Sequence, residues 1–238
     1  MEWNRYYSEE NIRSLKEQSP YYAYILEQLA EYVSKGKAPD EPLFVALGGI
    51  HPKVTRPEHF ITLCEDSLDH LIFPIILDQN EQALQGLSQD GYVAMQANLE
   101  DLPEITPPLS LLICDYTTDF MTDSQLSHMN QTLPGHLDPN GLLMLTVDTP
   151  TIPGLSRLRN KISFNVNVHP RSEKKLTTLL SNFKLVYVAQ TENDNLLTVF
   201  ASIDSPLEAH KGAPFSLSPE ENGGFGKWLS QQKEKSAP

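Results

Sequence analysis

Pro42-Leu-Phe-Val-Ala-Leu-Gly-Gly-Ile-His-Pro52 is the stretch on which the reading of this chain turns. Proline opens it, five apolar residues follow, and the pair Gly48-Gly49 closes the run. A short apolar run bounded in this way, with no polar alternation, predicts a strand buried on both faces. Open α/β sheets bind ligands beyond the carboxyl ends of their strands, where glycine lets backbone come close to a ligand. The glycine pair therefore marks a candidate site. It is not a G-x-G-x-x-G element, because Ile50, His51 and Pro52 follow it.

Outward on the C-terminal side, Thr55-Arg-Pro-Glu58 has the form of a capping box, with Phe60, Ile61, Leu63 and Cys64 at helical spacing behind it. Residues 71–77 are apolar and end in Asp78. Pro74 lacks a ladder donor, so strand two is expected to start at Ile75, with residues 71–73 as its lead-in. Asn80 is placed to cap a helix carrying Ala83, Leu84 and Leu87, and Asp90-Gly91 marks a turn before strand three at residues 92–95. Residues 99–108 read as a loop rich in breakers. Strand four, residues 109–114, ends in Asp115, and Asp123 is expected to cap a helix with Leu126, Met129 and Leu133. Asp138-Pro-Asn-Gly141 signals a turn before strand five, residues 142–147, which ends in Asp148. Such alternation of short apolar strands with helical patterns predicts a parallel sheet with helices on both faces.

Beyond strand five the pattern changes. Residues 149–170 carry Pro150, Pro153 and Gly154 together with a basic cluster, Arg157, Arg159 and Lys161. A helix is expected near residues 172–180. Residues 185–189 and 196–201, separated by a polar turn, predict an antiparallel hairpin. Upstream, residues 1–40 read as a helical extension. Ser19-Pro20 is the expected helix start, Tyr22, Ile25, Leu26, Leu29 and Val33 follow at helical spacing, and Gly36 and Pro39 end it. The tyrosines of this segment are expected to pack it onto the sheet. The organisation that emerges is an extension (1–40), one α/β domain (41–203) and a loosely ordered tail (204–238) with a docking contact through Phe225 and Trp228.

The chain of 238 residues has a net charge of −13, which argues against nucleic acid or an anionic membrane surface as its main partner. The N-terminus is polar, and no run approaches the roughly 20 apolar residues of a membrane span. Cys64 and Cys114, both in apolar contexts and without a C-x-x-C, read as buried reduced thiols. No metal site is expected. These features together predict a cytoplasmic protein.

Five segments in order carry a resemblance. Ile75-Ile-Leu-Asp-Gln-Asn-Glu-Gln-Ala-Leu84, Gln96-Ala-Asn-Leu-Glu-Asp-Leu-Pro103, Ser110-Leu-Leu-Ile-Cys-Asp-Tyr116 and Leu137-Asp-Pro-Asn-Gly-Leu-Leu-Met144 follow the glycine-paired strand, and a terminal hairpin closes the set. Over roughly residues 40–202 this order resembles the class I S-adenosylmethionine-dependent methyltransferases. The resemblance implies a doubly wound, mostly parallel seven-stranded sheet ending in an antiparallel hairpin, a Rossmann-like methyltransferase fold. It also implies S-adenosylmethionine as cofactor, bound by Gly48, Gly49, Asp78, Gln79, Asn98, Leu99 and Asp115. Asp78 would take the ribose hydroxyls, because a carboxylate offers two acceptor oxygens. Asn98, where the family has aspartate, and the Leu99 backbone would meet the adenine. Asp115 and Tyr116 would face the methyl-transfer region. The first motif departs from the family pattern: Ala46 replaces its acid and Ile50 a glycine.

The function implied is methyl transfer to a small molecule or a protein side chain. Such chemistry rests largely on alignment and needs a base only when the acceptor must lose a proton, so sequence identifies no catalytic residue. His128 reads as a surface residue and His169 as the better site candidate, while the Arg157, Arg159 and Lys161 cluster reads as an acceptor-binding patch or a solvated face. A non-catalytic relative that keeps the fold as a binding or scaffolding module is the alternative. A nicotinamide-dependent oxidoreductase fits less well: Asp78 stands 30 residues after Gly48, whereas that fingerprint places its acid about 20 residues on.

Overall fold

The computed structural model describes residues 14–38, 40–49, 57–115, 117–150, 167–190, 196–208 and 210–211. Strand β1 (Leu43–Gly48) lies in the interior of the sheet, parallel to β2 (Ile72–Asp78) on one side and β4 (Leu109–Asp115) on the other. Strand β3 (Val93–Gln96) forms one edge beside β2, and β5 (Leu137–Val147) continues the parallel set beside β4. The hairpin β6 (Phe183–Gln190) and β7 (Leu196–Ser202) follows, with β7 inserted antiparallel between β5 and β6. The order is β3-β2-β1-β4-β5-β7-β6-β8. The seven expected strands are therefore all present. The eighth, β8 (His210–Lys211), is a two-residue addition parallel to β6. The segment leading to it packs down, with Leu207 buried and Ser205 Oγ accepting a 3.0 Å bond from the Tyr32 hydroxyl. Phe225 and Trp228 lie outside the described residues.

Helices α1 (Ser14–Val33) and α2 (Pro57–Leu68) cover one face of the sheet. α3 (Glu81–Gln89) joins β2 to β3 and contributes Leu87 to that core. On the opposite face, α4 (Asp123–Thr132) and α5 (Glu173–Leu179) bring Leu126, Met129 and Leu176 against Leu112, Leu143, Leu145 and Phe200. No helix lies between β3 and β4. As the breakers indicate, residues 97–108 cross the sheet as a loop that inserts Leu99, Leu102 and Ile105. Helical cover of both faces, as expected from the alternation, is thus incomplete here, and Phe73 and Val93 remain exposed.

Four local expectations are corrected. Helix α1, Ser14–Val33, runs through Pro20, so Ser19-Pro20 is not its start. An interior proline costs a helix about 3 kcal/mol. Burying Tyr22, Ile25, Leu26, Leu29 and Val33 outweighs this at about 1.5–3 kcal/mol per large side chain. Strand β2 starts at Ile72 and contains Pro74. Leu43 N–H donates to Leu71 O and Gly49 N–H to Leu77 O, so odd-numbered β2 residues bond β1 and even-numbered ones face β3. β3 pairs only from Ile75 onward, so the missing Pro74 donor has no strand partner to lose. Strand β5 starts at Leu137 rather than Leu142. Its Asp-Pro-Asn-Gly segment bulges within the strand, where Leu109 pairs with Leu137 and Leu111 with Leu142. The cap of α4 is Thr122, not Asp123: the Thr122 hydroxyl accepts from Gln125 N–H and the Gln125 side chain accepts from Thr122 N–H.

Candidate active site

A cleft of about 310 Å3 opens at the carboxyl end of the parallel strands, lined by Leu77, Asp78, Gln79, Ala97 and Leu99 on one side. Thr117, Phe120, Met121, Thr122 and Gln125 form the facing wall, and Gly49, Asn167 and His169 complete the rim.

The first wall is built by the ends of β2 and β3. Asp78 closes β2, and its Oδ1 accepts the Asn80 N–H at 2.7 Å while the Asn80 carbonyl accepts the first bond of α3 from Leu84 N–H. Burial raises the Asp78 carboxyl above its ordinary value, and hydrogen bonds from Asn80 and Gln79 oppose that rise. Ala97 N–H donates to Asp78 O at 3.0 Å, which aligns the residues after β3 with the acid. Gln79 Nε2 reaches Asn98 Oδ1 at 3.4 Å, and the Asn98 amide donates to Glu100.

At the end of β1 the two glycines do different work. A side chain at Gly48 would meet Cys114 Sγ at 3.0 Å and Leu99 Cδ2 at 3.1 Å. Gly49 adopts φ +76°, and a Cβ there would lie 2.5 Å from Thr117 Cγ2 and 2.9 Å from Thr117 Cβ. Thr117 Oγ1 donates to Gly48 O at 2.7 Å. The space left by the second glycine is therefore taken by a side chain from the turn after β4.

The second wall is a 3-10 turn, Thr117–Phe120, followed by α4. Gln125 Nε2 donates to Glu100 Oε1 at 3.2 Å, which joins this wall to the loop of the first. Within the turn Asp119 is fully buried. Its Oδ2 accepts Asp148 N–H at 2.8 Å, its main-chain carbonyl accepts His169 N–H at 2.7 Å, and its Oδ1 has no partner among the described residues. Burial above all, with the neighbouring Asp148 carboxylate, holds the Asp119 carboxyl well above the usual carboxylate range, against the pull of Arg171. Burial likewise pushes Asp148 up to about 6.

The sequence-derived candidates thus divide. Gly49, Asp78, Gln79 and Leu99 line the cleft. Gly48 packs against Cys114 and Leu99 outside the lining, Asn98 joins a side-chain network with Gln79, and Asp115 turns to the α1 face, where its Oδ1 accepts the Tyr22 hydroxyl at 3.0 Å. That same hydroxyl bonds Thr146, so Tyr22 packs α1 onto the sheet and ties it to the ends of β4 and β5. His169 is on the rim, whereas His128 is exposed on α4. Ile50, His51, Pro52, Tyr116, Arg157, Arg159 and Lys161 lie outside the described residues. Thr117, Phe120, Met121, Thr122, Gln125 and Asn167 carried no recognised motif. The one signal that could have indicated part of this wall is Thr122-x-x-Gln125, a capping box, which fixes Thr122 at the helix entrance beside a strand end. Among the described residues no group of three or more His, Cys, Asp and Glu is arranged to hold a metal ion, and no helix is long and apolar enough to cross a membrane. Both cysteines are buried, with thiols pushed up to about 12.

The strand order, the antiparallel β7 and the cleft beyond β1, β2 and β4 define the Rossmann-like fold of the class I S-adenosylmethionine-dependent methyltransferases. Solved structures share it. The chain is similar to LepI in complex with S-adenosylmethionine (18% identity, 73% of this chain and 46% of LepI, TM-score 0.54). It is also similar to the methyltransferase domain of the citrinin polyketide synthase (15%, 84% of this chain and 55% of that one, TM-score 0.60). Magnesium protoporphyrin IX methyltransferase from Synechocystis PCC 6803, with S-adenosylhomocysteine bound, matches at 18% identity over 84% of this chain and 93% of its own (TM-score 0.54). The chain spans about half the length of LepI and of the citrinin domain. No protein-family model and no curated protein sequence matches it.

Proposed function

We propose that this protein is an S-adenosylmethionine-dependent methyltransferase acting on a small molecule or a protein side chain. The observation that carries the reading is Asp78: a carboxylate at the end of β2, on the wall of a cleft that Phe120 and Met121 also line. One acceptor oxygen is engaged by Asn80, which fixes the carboxyl group, and a carboxylate retains further acceptor capacity for a ribose diol. Ala97, Leu99 and Met121 supply apolar surface for a planar base, with Gln79 and Gln125 as polar groups at its edge. When bound, S-adenosylmethionine supplies a methyl group activated by its sulfonium. The chain's own part is to hold the two reactants in line and keep water out. His169, on the rim, is the residue we assign to the acceptor side. The small-molecule assignment draws support from the protoporphyrin methyltransferase neighbour. The protein is cytoplasmic in this reading.

A second reading, a binding or scaffolding module that has lost the cofactor, is favoured by Ala46, buried where the family carries an acid, and by Thr117 filling the space over Gly49. Titration calorimetry separates the two. Saturable binding of S-adenosylmethionine and S-adenosylhomocysteine but not of NAD, weakened about 10- to 100-fold in Asp78→Ala through loss of charged hydrogen bonds of ~1.5–3 kcal/mol, supports methyl transfer. A folded wild-type protein that binds neither ligand overturns it in favour of the module.

A further inference from the structure

The largest fully buried side chain among the described residues is charged. Arg171 is 1% exposed, two residues beyond His169 on the segment that enters α5. A buried guanidinium is tolerated only when its fork of donors is satisfied. Here Nη1 donates to Thr118 O at 2.7 Å, Nη2 to Met121 O, and Nε to Asp123 Oδ1 at 3.3 Å. Asp123, the one carboxylate among the described residues bonded to this guanidinium, is half exposed and also pairs with Lys175 at 2.8 Å. An ion pair alone does not account for such burial. Two of the three contacts go to main-chain carbonyls of the Thr117–Phe120 turn and of Met121 directly after it, and this stretch supplies Thr117, Phe120 and Met121 to the cleft. The backbone of this segment is tied to the same turn, directly at His169 and through Asp148 at Arg171. His169 N–H donates to Asp119 O, Arg171 N–H donates to Asp148 O at 2.8 Å, and Asp148 N–H returns to Asp119 Oδ2.

We propose that Arg171 is a positioning residue of the cleft: one guanidinium holds the Thr118 and Met121 carbonyls, and so sets the turn carrying Phe120 and Met121 against the segment carrying Asn167 and His169. This rests on the reading of the cleft as a cofactor site. Arginine is required because its planar fork spans two carbonyls and a carboxylate at fixed spacing, whereas a lysine ammonium is a point charge on a flexible stem. Loss of the fork leaves both segments folded against the core but free to move relative to each other. The width of the cleft then varies, and binding weakens although Arg171 touches no ligand.

The test compares full-length Arg171→Lys with the wild type, using S-adenosylhomocysteine calorimetry, thermal melting and amide hydrogen exchange. The expected result is binding about tenfold or more weaker at unchanged stoichiometry, the scale at which displaced positioning groups act. Faster exchange should be confined to residues 117–122 and 167–171, with β1 and β2 unchanged. Unchanged affinity in the folded variant, or faster exchange spread through the sheet, overturns the proposal and leaves Arg171 a stability residue. Where Arg171→Lys does not fold, the wild type decides: the amides of Met121, Asp148, His169 and Arg171 should gain protection together on ligand addition, and independent responses overturn the coupling. If the wild type binds no S-adenosylhomocysteine, the methyltransferase reading fails by itself. The exchange pattern of the unliganded variant still reports whether Arg171 joins the two segments.

Discussion

The two walls of the cleft are built by different means. The wall of Asp78, Gln79, Ala97 and Leu99 is held by bonds between near neighbours: Asn80 to Asp78 spans two positions, and Gln79 to Asn98 spans 19. The wall of Thr117, Phe120 and Met121 is held by Arg171, whose three contacts span 53, 50 and 48 positions. The first wall follows from where parallel strands end. The second needs a buried charge, a buried carboxyl group and two chain segments that meet only in the folded state. Local walls form wherever the strands form, whereas the long-range wall exists only while its polar centre is complete, so damage to it should be larger and more concentrated.

The strongest challenge to that contrast is Arg171→Met. It removes the donors to two carbonyls and leaves the Asp119 carboxyl without its nearby positive charge. A buried carbonyl left without its donor costs about 1–3 kcal/mol, so chemical denaturation should show a loss of about 2–6 kcal/mol for the two. Asn80→Ala on the other wall keeps the main-chain bond to Asp78 and should cost less than about 1 kcal/mol, the scale of one helix cap. Equal losses at the two positions would remove the distinction between the walls.

Next in size is the joint between the walls, Gly49. A methyl group there collides with Thr117, and alanine is strained at φ +76°. Left-handed strain of about 1–2 kcal/mol and overpacking of about 1–3 kcal/mol should make Gly49→Ala cost about 2–5 kcal/mol. Gly91 has a similar φ of +92° and nothing within 4 Å of its Cβ position. Gly91→Ala should therefore show the strain alone, about 1–2 kcal/mol. Thr117→Ser in the Gly49→Ala background removes one colliding methyl and should recover part of the difference. If the two glycine variants cost the same, Thr117 does not fill the turn as described.

The same division explains what could be read from sequence. Apolar runs ending in Gly48, Asp78, Asp115 and Asp148 are local patterns, and the parallel core with its terminal hairpin follows from them. Asp78 was legible because a carboxylate at a strand end is local information. Pro74 and Pro20 misled in opposite settings for one reason: each penalty depends on whether a partner is present, which only the neighbouring strand or the buried helix face decides. The facing wall was not legible because nothing in Thr117-Thr-Asp-Phe120 indicates that Arg171 will reach it. Arg171 also stands away from the basic cluster at Arg157, Arg159 and Lys161, so it gave no charge signal of its own.

The smallest effect concerns protons, and it sets the acids of the two walls apart. Asp119 and Asp148 are both raised, chiefly by burial, so the folded protein holds protons that the unfolded chain releases. A raised acid contributes most when both states are protonated, and its contribution falls as pH climbs from the unfolded toward the folded value. For Asp148 that window runs from 3.8 to about 6. Asp123 is lowered by Lys175, and its contribution is lost only as pH falls below 3.8, outside this window. Stability should therefore decline as pH rises from about 4 to about 6, with Asp119 acting in the same direction. The full displacement of Asp148 from 3.8 to about 6 corresponds to at most ~3 kcal/mol, and partial exposure reduces it to about 1–2 kcal/mol. Asp148→Asn retains the main-chain bonds to Asp119 and Arg171 and removes the ionisation. It should be more stable than the wild type by that amount at pH 8, with the advantage gone by pH 4. Asp78→Asn, on the locally built wall, should flatten the pH dependence less, because hydrogen bonds from Asn80 and Gln79 already oppose the effect of burial there. Urea titrations of the three proteins at pH 4, 6 and 8 measure both slopes. A wild-type stability that rises from pH 4 to 8, or an Asp148→Asn curve parallel to it, would show that the polar centre behind the Arg171 wall does not carry its carboxyl groups in the protonated form.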